Sequence, residues 1–327
     1  MTLDELTDYF LANDRFIVAS HDGPDADGLG AVYALVLALR SIGKQAVPTV
    51  ADNVPAKYRF IDQAGIFVPV SASDWPPFDP AESTLIVMDT HDFTYLGSSG
   101  ERLLAAARRY LAIDHHELKG DPGPLSFVDP TASSSCELVY QLVRRLGVQL
   151  PRDAAEAIFA GMVYDTGSFA YPKTSERTFA FASELVRLGV QPYAIHNHLY
   201  ESGSIGVLIL QKMVFSTLEL HSENRIAVQT LRRSDLAVSG AAYEDAEDLV
   251  NIPLQGRTIE VSILFKENLQ GRLRCSLRSK GQINVAHIAQ SFGGGGHKTA
   301  AGFTCVSPLE SSKADVLQTI GKALSRA

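Results

Sequence analysis

Between His21 and Asp27 the chain reads HDGPDAD, which places one imidazole and three carboxylates within seven residues. Side chains this crowded repel one another and gain nothing structurally, so the density points to a bound cation. For this stretch alone, an Asp/Gly/Pro turn with a helix cap is the plain alternative. Two other stretches share its character. Asp89 ends the apolar run STLIVMD, and Asp114, His115 and His116 end YLAIDHH. Asp165 follows a helix-like run in the sequence YDTG. Imidazoles with several carboxylates and no thiolate suit Mn2+ or a similar divalent ion in an oxygen-rich site. The donors are too many for one ion. Two ions about 3.5–4 Å apart, sharing a carboxylate, would use them all, and such pairs activate water and stabilise the leaving oxygen in phosphate ester hydrolysis.

The elements between these donors must bring them together. Phe16–Ser20, Gln45–Val50, Ile66–Val70, Ser83–Asp89 and Tyr110–Asp114 read as strands. Leu29–Ile42, Glu101–Arg109, Ser133–Leu146, Pro151–Val163 and Thr174–Gly189 read as helices. Such alternation predicts an α/β fold with parallel strands covered on both faces. The carboxyl ends of parallel strands share one edge, where ligands bind, so donors far apart in sequence converge there. The pattern weakens after Val190. From Val214 the texture changes to strands at Arg225–Arg232, Ile259–Lys266 and Gly271–Arg278, with helices at Ala241–Leu249 and Ile283–Phe292. The predicted division is residues 1–190, a linker at 191–213, and a smaller domain at 214–327.

At 327 residues, 46% hydrophobic and 20% charged, the chain suits two core-forming domains. Its longest wholly apolar run, Ala31–Leu39, is far too short to span a bilayer. The opening MTLDELTDYF has a Thr2–Glu5 capping box and no signal-peptide pattern. Three scattered cysteines (Cys136, Cys275 and Cys305) make neither a disulfide framework nor a zinc spacing. A reducing, cytoplasmic setting without a membrane partner is the expectation. The net charge of −8 argues against a protein that coats long nucleic acid. Residues 255–300 carry seven Lys/Arg against two Glu, a balance of +5 that leaves −13 for the rest. That split suggests a cation site in the acidic part and an anion site in the basic part, with a solvated charged strand face as the plain alternative for any single residue. In the basic part, Gly293–Gly296 let backbone N–H groups approach an anion closely, with Arg278 and Lys280 nearby in sequence.

HDGPDADGLGA, MDT at Met88–Thr90, IDHH at Ile113–His116, YDTGSF at Tyr164–Phe169, SLRSKG and FGGGGHKTAAG together resemble the DHH phosphoesterases. The resemblance is to the branch with a C-terminal DHHA1 domain, and most of all to its nanoRNase/pAp-phosphatase group. It implies a parallel-sheet catalytic domain and a mixed-sheet substrate-binding domain with the active site in the cleft between them. It assigns His21, Asp25 and Asp89 to one metal and Asp27, Asp89, His115 and Asp165 to another, with Asp89 bridging. Asp114 then orients the His pair, and His116 contacts the scissile phosphate. Arg278, Ser279, Gly294, Gly295, Gly296 and His297 grip the far end of the substrate. The implied metal is manganese, two ions per site, with Mg2+ or Co2+ as substitutes. The implied substrates are very short RNA or 3′-phosphoadenosine 5′-phosphate (pAp), and a homodimer is compatible with the pattern. Tyr95 stands where many relatives have an Arg, which leaves open whether His91 takes over a phosphate contact. His196, His198, His221 and His287 lack acidic company of this kind and read as structural.

Other functions remain open at this level. A phosphodiesterase of linear or cyclic di-adenylate uses the same site. A RecJ-type exonuclease calls for an additional single-strand-binding module, and pyrophosphatase relatives lack the GGGGH ending. A non-catalytic nucleotide-binding module would have lost a metal ligand, whereas here every ligand position is filled.

Overall fold

The computed structural model describes all residues except Lys119, Asp121, Pro124, Leu269, His297, Arg326 and Ala327. The chain divides into two compact units, Met1–Ser202 and Gly203–Ala327.

In the first unit, Thr2 and Glu5 cap helix α1 (Leu3–Ala12) reciprocally: the Glu5 N–H donates to Thr2 Oγ1 at 3.2 Å, and the Thr2 N–H donates to Glu5 Oε2 at 2.7 Å. There follow β1 (Arg15–Ser20), α2 (Ala26–Ser41), β2 (Gln45–Val50), β3 (Val68–Pro69), β4 (Thr84–Met88), α3 (Gly100–Ala105), β5 (Arg109–Asp114) and β6 (Phe127–Val128). Helices α4 (Ser135–Leu146), α5 (Arg152–Asp165), α6 (Glu176–Arg187) and α7 (Pro192–His196) complete the unit. The strands form a parallel sheet in the order β3-β2-β1-β4-β5-β6. Alternate residues serve opposite faces. Phe16, Val18, Ile86 and Met88 join the core with α2, α4 and α5, while Ile17, Ala19, Leu85 and Val87 pack with Leu96 and Leu103. Both faces are covered, which explains why β4 is apolar from end to end. The sheet's neighbours change direction at β1, which has β2 on one side and β4 on the other. That is the switch point at which open parallel sheets form a crevice beyond the strand ends.

Two sequence-based boundaries shift. Helix α2 starts at Ala26, not Leu29, because Asp25 caps it, and α3 stops at Ala105, short of the expected Arg109. The expected linker at 191–213 is largely helical: α7, one π-helical turn at Asn197–Glu201, and α8 (Ile205–Phe215) of the second unit.

The second unit continues with β7 (Glu219–His221), β8 (Ile226–Leu231), α9 (Arg233–Ser239), a 3-10 stretch (Glu244–Gln255), β9 (Val261–Glu267), β10 (Leu273–Ser279), α10 (Val285–Ser291), β11 (Gly295–Gly296), β12 (Ala300–Thr304) and α11 (Leu309–Leu324). Its sheet is mixed, in the order β11-β12-β10-β9-β8-β7, with β8 and β9 parallel and the other pairs antiparallel. Val261, Ile263, Phe265 and Leu277 bury one face with Ile288 of α10 and Val316 and Ile320 of α11. The helix expected over Ala241–Leu249 is the 3-10 stretch, which holds Pro253. Helices α9 and α11 were not anticipated from the sequence. Among the described residues no helix is long and apolar enough to cross a membrane.

Candidate functional site

The donors of the first unit sit at the carboxyl ends of β1, β4 and β5, beside the end of α5. Asp25 is fixed as the N-cap of α2: its Oδ1 accepts from the N–H groups of Asp27 at 2.9 Å and Gly28 at 3.1 Å. Asp27, two residues further on, is completely buried. Its two oxygens accept the first amides of α4, Ser135 N–H at 2.6 Å and Cys136 N–H at 2.9 Å. A helix start has unpaired N–H groups and a positive dipole end, and Asp27 meets both. Asp89 follows β4 with φ of 64°, a left-handed backbone that an Asp adopts more readily than most residues. The Ser135 hydroxyl donates to Asp89 Oδ1 at 3.0 Å.

Asp89 is the hub. Its Oδ2 lies 3.6 Å from His21 Nε2, and its Oδ1 lies 3.5 Å from His115 Nε2 and 3.8 Å from His116 Nδ1. His115 Nε2 also faces Asp165 Oδ2 at 3.0 Å and Asp27 Oδ2 at 3.9 Å. Among the described residues three donor clusters result: His21, Asp25 and Asp89; Asp27, His115 and Asp165; and Asp89, His115 and His116. Within each, the ligand atoms lie inside 4.8 Å of one another.

The electrostatics are those of a cation site. Enclosure by protein, then the charge of Asp89, pushes Asp25 up to about 6. Burial, Asp89 and Asp165 push Asp27 well above the carboxylate range. Burial works against a charge on His21, yet Asp89 and Asp25 push it up to about 10. Burial likewise opposes a charge on Asp89, but the imidazoles of His115 and His21 hold it well below its ordinary value. Protons are thus drawn to where positive charge is needed. His115 Nε2 is the test of fit. It is buried and, among the described residues, has no partner in hydrogen-bond geometry, although three carboxylates surround it. An imidazole nitrogen left so, among acidic oxygens and without thiolates, is a donor set for divalent cations. His21, Asp25, Asp27, Asp89, His115 and Asp165 all supply such donors.

Sequence reasoning missed several supports. Ser135 and the α4 amides hold Asp89 and Asp27, yet an N-terminal amide leaves no mark in composition. Lys173 donates to the His115 carbonyl at 2.9 Å and lies 3.4 Å from its Nδ1. Gly161 of α5 lets that helix approach α2 at Asp27, since a Cβ there would lie 2.9 Å from Asp27 Cα. Asp22 donates its N–H to the Tyr95 carbonyl at 2.7 Å and thereby ties down the 93–99 turn. Tyr95 itself is exposed. His198 stacks on Phe60 with ring centres 4.8 Å apart, and His196 lies against Tyr200.

The remaining sequence candidates belong to the second unit. Arg278, on β10, pairs with Ser262 and Ala300, and its Nη1 donates to the Leu277 carbonyl at 3.1 Å. The Ser279 hydroxyl is buried and donates to the Ile283 carbonyl at 2.7 Å, so it closes the 279–283 turn. Gly295 and Gly296 form β11 against Gly302 and Ala301, and Gly294 packs on Phe303 too closely for any side chain. The glycine run is therefore a packed edge strand and not a loose linker. His297 lies outside the described residues.

The chain matches the DHH family, N-terminal domain, over residues 15–162 and the DHHA1 domain over residues 224–326. It is 28% identical over 312 residues to the bifunctional oligoribonuclease and PAP phosphatase NrnA of Thermus thermophilus, covering 95% of this chain and 90% of that one. It is 33% identical over 202 residues to the protein of the same name from Bacillus subtilis, covering 61% and 63%. The crystal structure of an exopolyphosphatase-related protein from Bacteroides fragilis superposes with a TM-score of 0.88 at 25% identity, over 99% of this chain and 95% of that one. With both domains in order along the chain, this protein belongs to the DHH family of phosphoesterases, in the branch that carries a DHHA1 domain.

Proposed function

We propose that this chain hydrolyses phosphoester bonds in very short oligoribonucleotides and in small nucleotides such as pAp, releasing nucleoside 5′-monophosphates, with manganese as its metal. The observation that carries the reading is the sharing of Asp89 and His115 among three donor clusters, an arrangement suited to two ions bridged by one carboxylate. The names of the Thermus and Bacillus relatives support the substrate class. When bound, a pair of divalent cations supplies the charge that makes water acidic and offsets charge building on phosphoryl oxygens.

The chain's own residues do the rest. Asp114 accepts from His116 Nδ1 at 2.6 Å, which fixes that tautomer and turns Nε2 to the opposite side of the ring. In this reading His116 Nε2 meets a phosphoryl oxygen of the scissile group. Asp27 and Asp25 are immobilised by backbone amides, so they need no rearrangement when a substrate arrives. Arg278 supplies a guanidinium for a terminal phosphate, and the backbone of Gly294–Gly296 adds N–H groups to the proposed grip.

The test is hydrolysis of a diribonucleotide and of pAp by chelator-stripped protein, with and without added Mn2+. Turnover of at least one substrate, dependent on the metal, is the expected result. No turnover of either sinks the reading. Metal binding is also expected to release protons, because His21 is pushed up to about 10 in the metal-free protein and must give up its proton to bind a cation. Metal affinity therefore rises with pH. Titration calorimetry in buffers of different ionisation enthalpy should show about one proton or more released per chain at neutral pH; a buffer-independent heat would contradict this account of the site.

A further inference from the structure

His91 plays no part in the donor clusters, yet it is 8% exposed and points at the centre of the site's support. It lies in the loop after β4, two residues beyond Asp89. Its Nδ1 is 2.5 Å from Asp114 Oδ2. The other oxygen of Asp114 takes the His116 ring at 2.6 Å and the His116 backbone N–H at 3.1 Å. Asp114 is completely buried, so a carboxylate closed off from water stands between two imidazoles. An ionised carboxylate only accepts, so both rings carry hydrogen on Nδ1.

We infer that His91 is a positioning residue for His116, acting through Asp114. The inference rests on the phosphoesterase reading for its kinetic consequence, though not for its geometry. A carboxylate held at one oxygen only can rotate about its Cβ–Cγ bond and exchange oxygens. With His91 on Oδ2, that rotation breaks a buried charge-assisted hydrogen bond, and Oδ1 stays where the His116 ring and backbone meet it. His91 also links the β4 loop to the end of β5, and so connects the backbone that presents Asp89 to the backbone that presents His115. Its burial and its bond to Asp114 set it against a direct phosphate contact, so His91 does not take over the role of the Arg whose place Tyr95 fills.

The experiment uses full-length His91→Ala and His91→Asn, alone and combined with His116→Ala, assayed with Mn2+ on the better of the two substrates above. Asn keeps an N–H donor near the position of Nδ1. Outer partners of catalytic groups usually contribute about 10- to 100-fold, so His91→Ala should lower kcat by that factor with KM within about twofold, and His91→Asn should recover most of it. In the His116→Ala background, His91→Ala should cost less than about twofold, because its route of action is gone. Full activity of His91→Ala, an undiminished loss in the His116→Ala background, or a rise in KM alone would each overturn the inference. Nitrogen-15 spectra of histidine-labelled protein give a readout independent of turnover. His116 should hold its proton on Nδ1 in the wild type and populate the other tautomer in His91→Ala. Should the wild type turn over neither substrate, the phosphoesterase reading fails, while these spectra still decide whether His91 orients His116.

Discussion

Asp89→Ala is expected to cut hydrolysis by about a thousandfold or more and to release both cations together, since a metal pair is worth several kcal/mol of transition-state stabilisation and each 1.4 kcal/mol is tenfold. Asp89 is 4% exposed and is the one carboxylate common to the His21/Asp25 cluster and the His115/His116 cluster. Two companion variants separate its roles. Asp89→Asn retains an acceptor for the Ser135 hydroxyl, which now bonds Oδ1 at 3.0 Å, but removes the charge. Asp89→Gly removes the side chain and relieves the left-handed backbone at φ 64°, a gain of about 1 kcal/mol in stability. All three variants should lose activity together, while thermal stability without metal falls, least for Asp89→Gly, because each removes the charge that the His115 and His21 imidazoles pair with. Activity of Asp89→Ala within tenfold of wild type would rule out a carboxylate shared by two ions. Metal content, counted by elemental analysis after gel filtration, should fall from two to fewer than one.

Gly161→Ala is expected to be the most damaging change outside the donor set. A Cβ at 161 would lie 2.3 Å from Cys136 Sγ, 2.7 Å from Asp27 Oδ1 and 2.9 Å from Asp27 Cα. Gly30, on the facing side of the α2–α5 contact, is equally tight, with a Cβ 2.4 Å from the Ala157 carbonyl oxygen. Backbone offers no flexible end that could swing away. Overpacking of this kind costs about 3 kcal/mol, which in a unit of this size lowers Tm by about 6–12 °C. The displacement falls on Asp27, so metal affinity should drop with stability. Pairing Gly161→Ala with Cys136→Ala removes the sulfur clash and leaves the Asp27 one, so it should recover stability only in part. A single variant that melted within about 1 °C of wild type would show that the two helices are not held this closely.

Several of the donors are legible in the sequence because they stand where an apolar strand stops, and a charged residue at such a point has no burial partner of its own to explain it. Asp89 after STLIVMD and His115 after YLAID are read from local pattern alone, and the parallel sheet then brings them together. The supports are harder to see for a physical reason. Ser135 acts partly through a backbone amide, and Gly161 acts by lacking a side chain, so neither has a local chemical signature. His91 has one, but its partner is 23 residues away on the next strand. Some misses were avoidable. Helix α11 buries Val316, Ile320 and Leu324 at a four-residue spacing that the sequence displays. The 3-10 stretch Glu244–Gln255 is a different matter, since Pro253 interrupts any regular helix.

The donors of the first unit come from four places along the chain: the loop after β1, the end of β4, the end of β5 and the end of α5. During synthesis the earliest of them, His21, leaves the ribosome long before the last, Asp165. A nascent chain that has not yet produced α5 lacks the helix that packs on α2 and the carboxylate that faces His115. The complete donor set is thus a late product of synthesis. A fragment ending before Asp165 holds only part of it, and a cation that needs every donor would add its folding stability only to chains that extend through α5. The last carboxylate therefore separates chains made through α5 from interrupted ones.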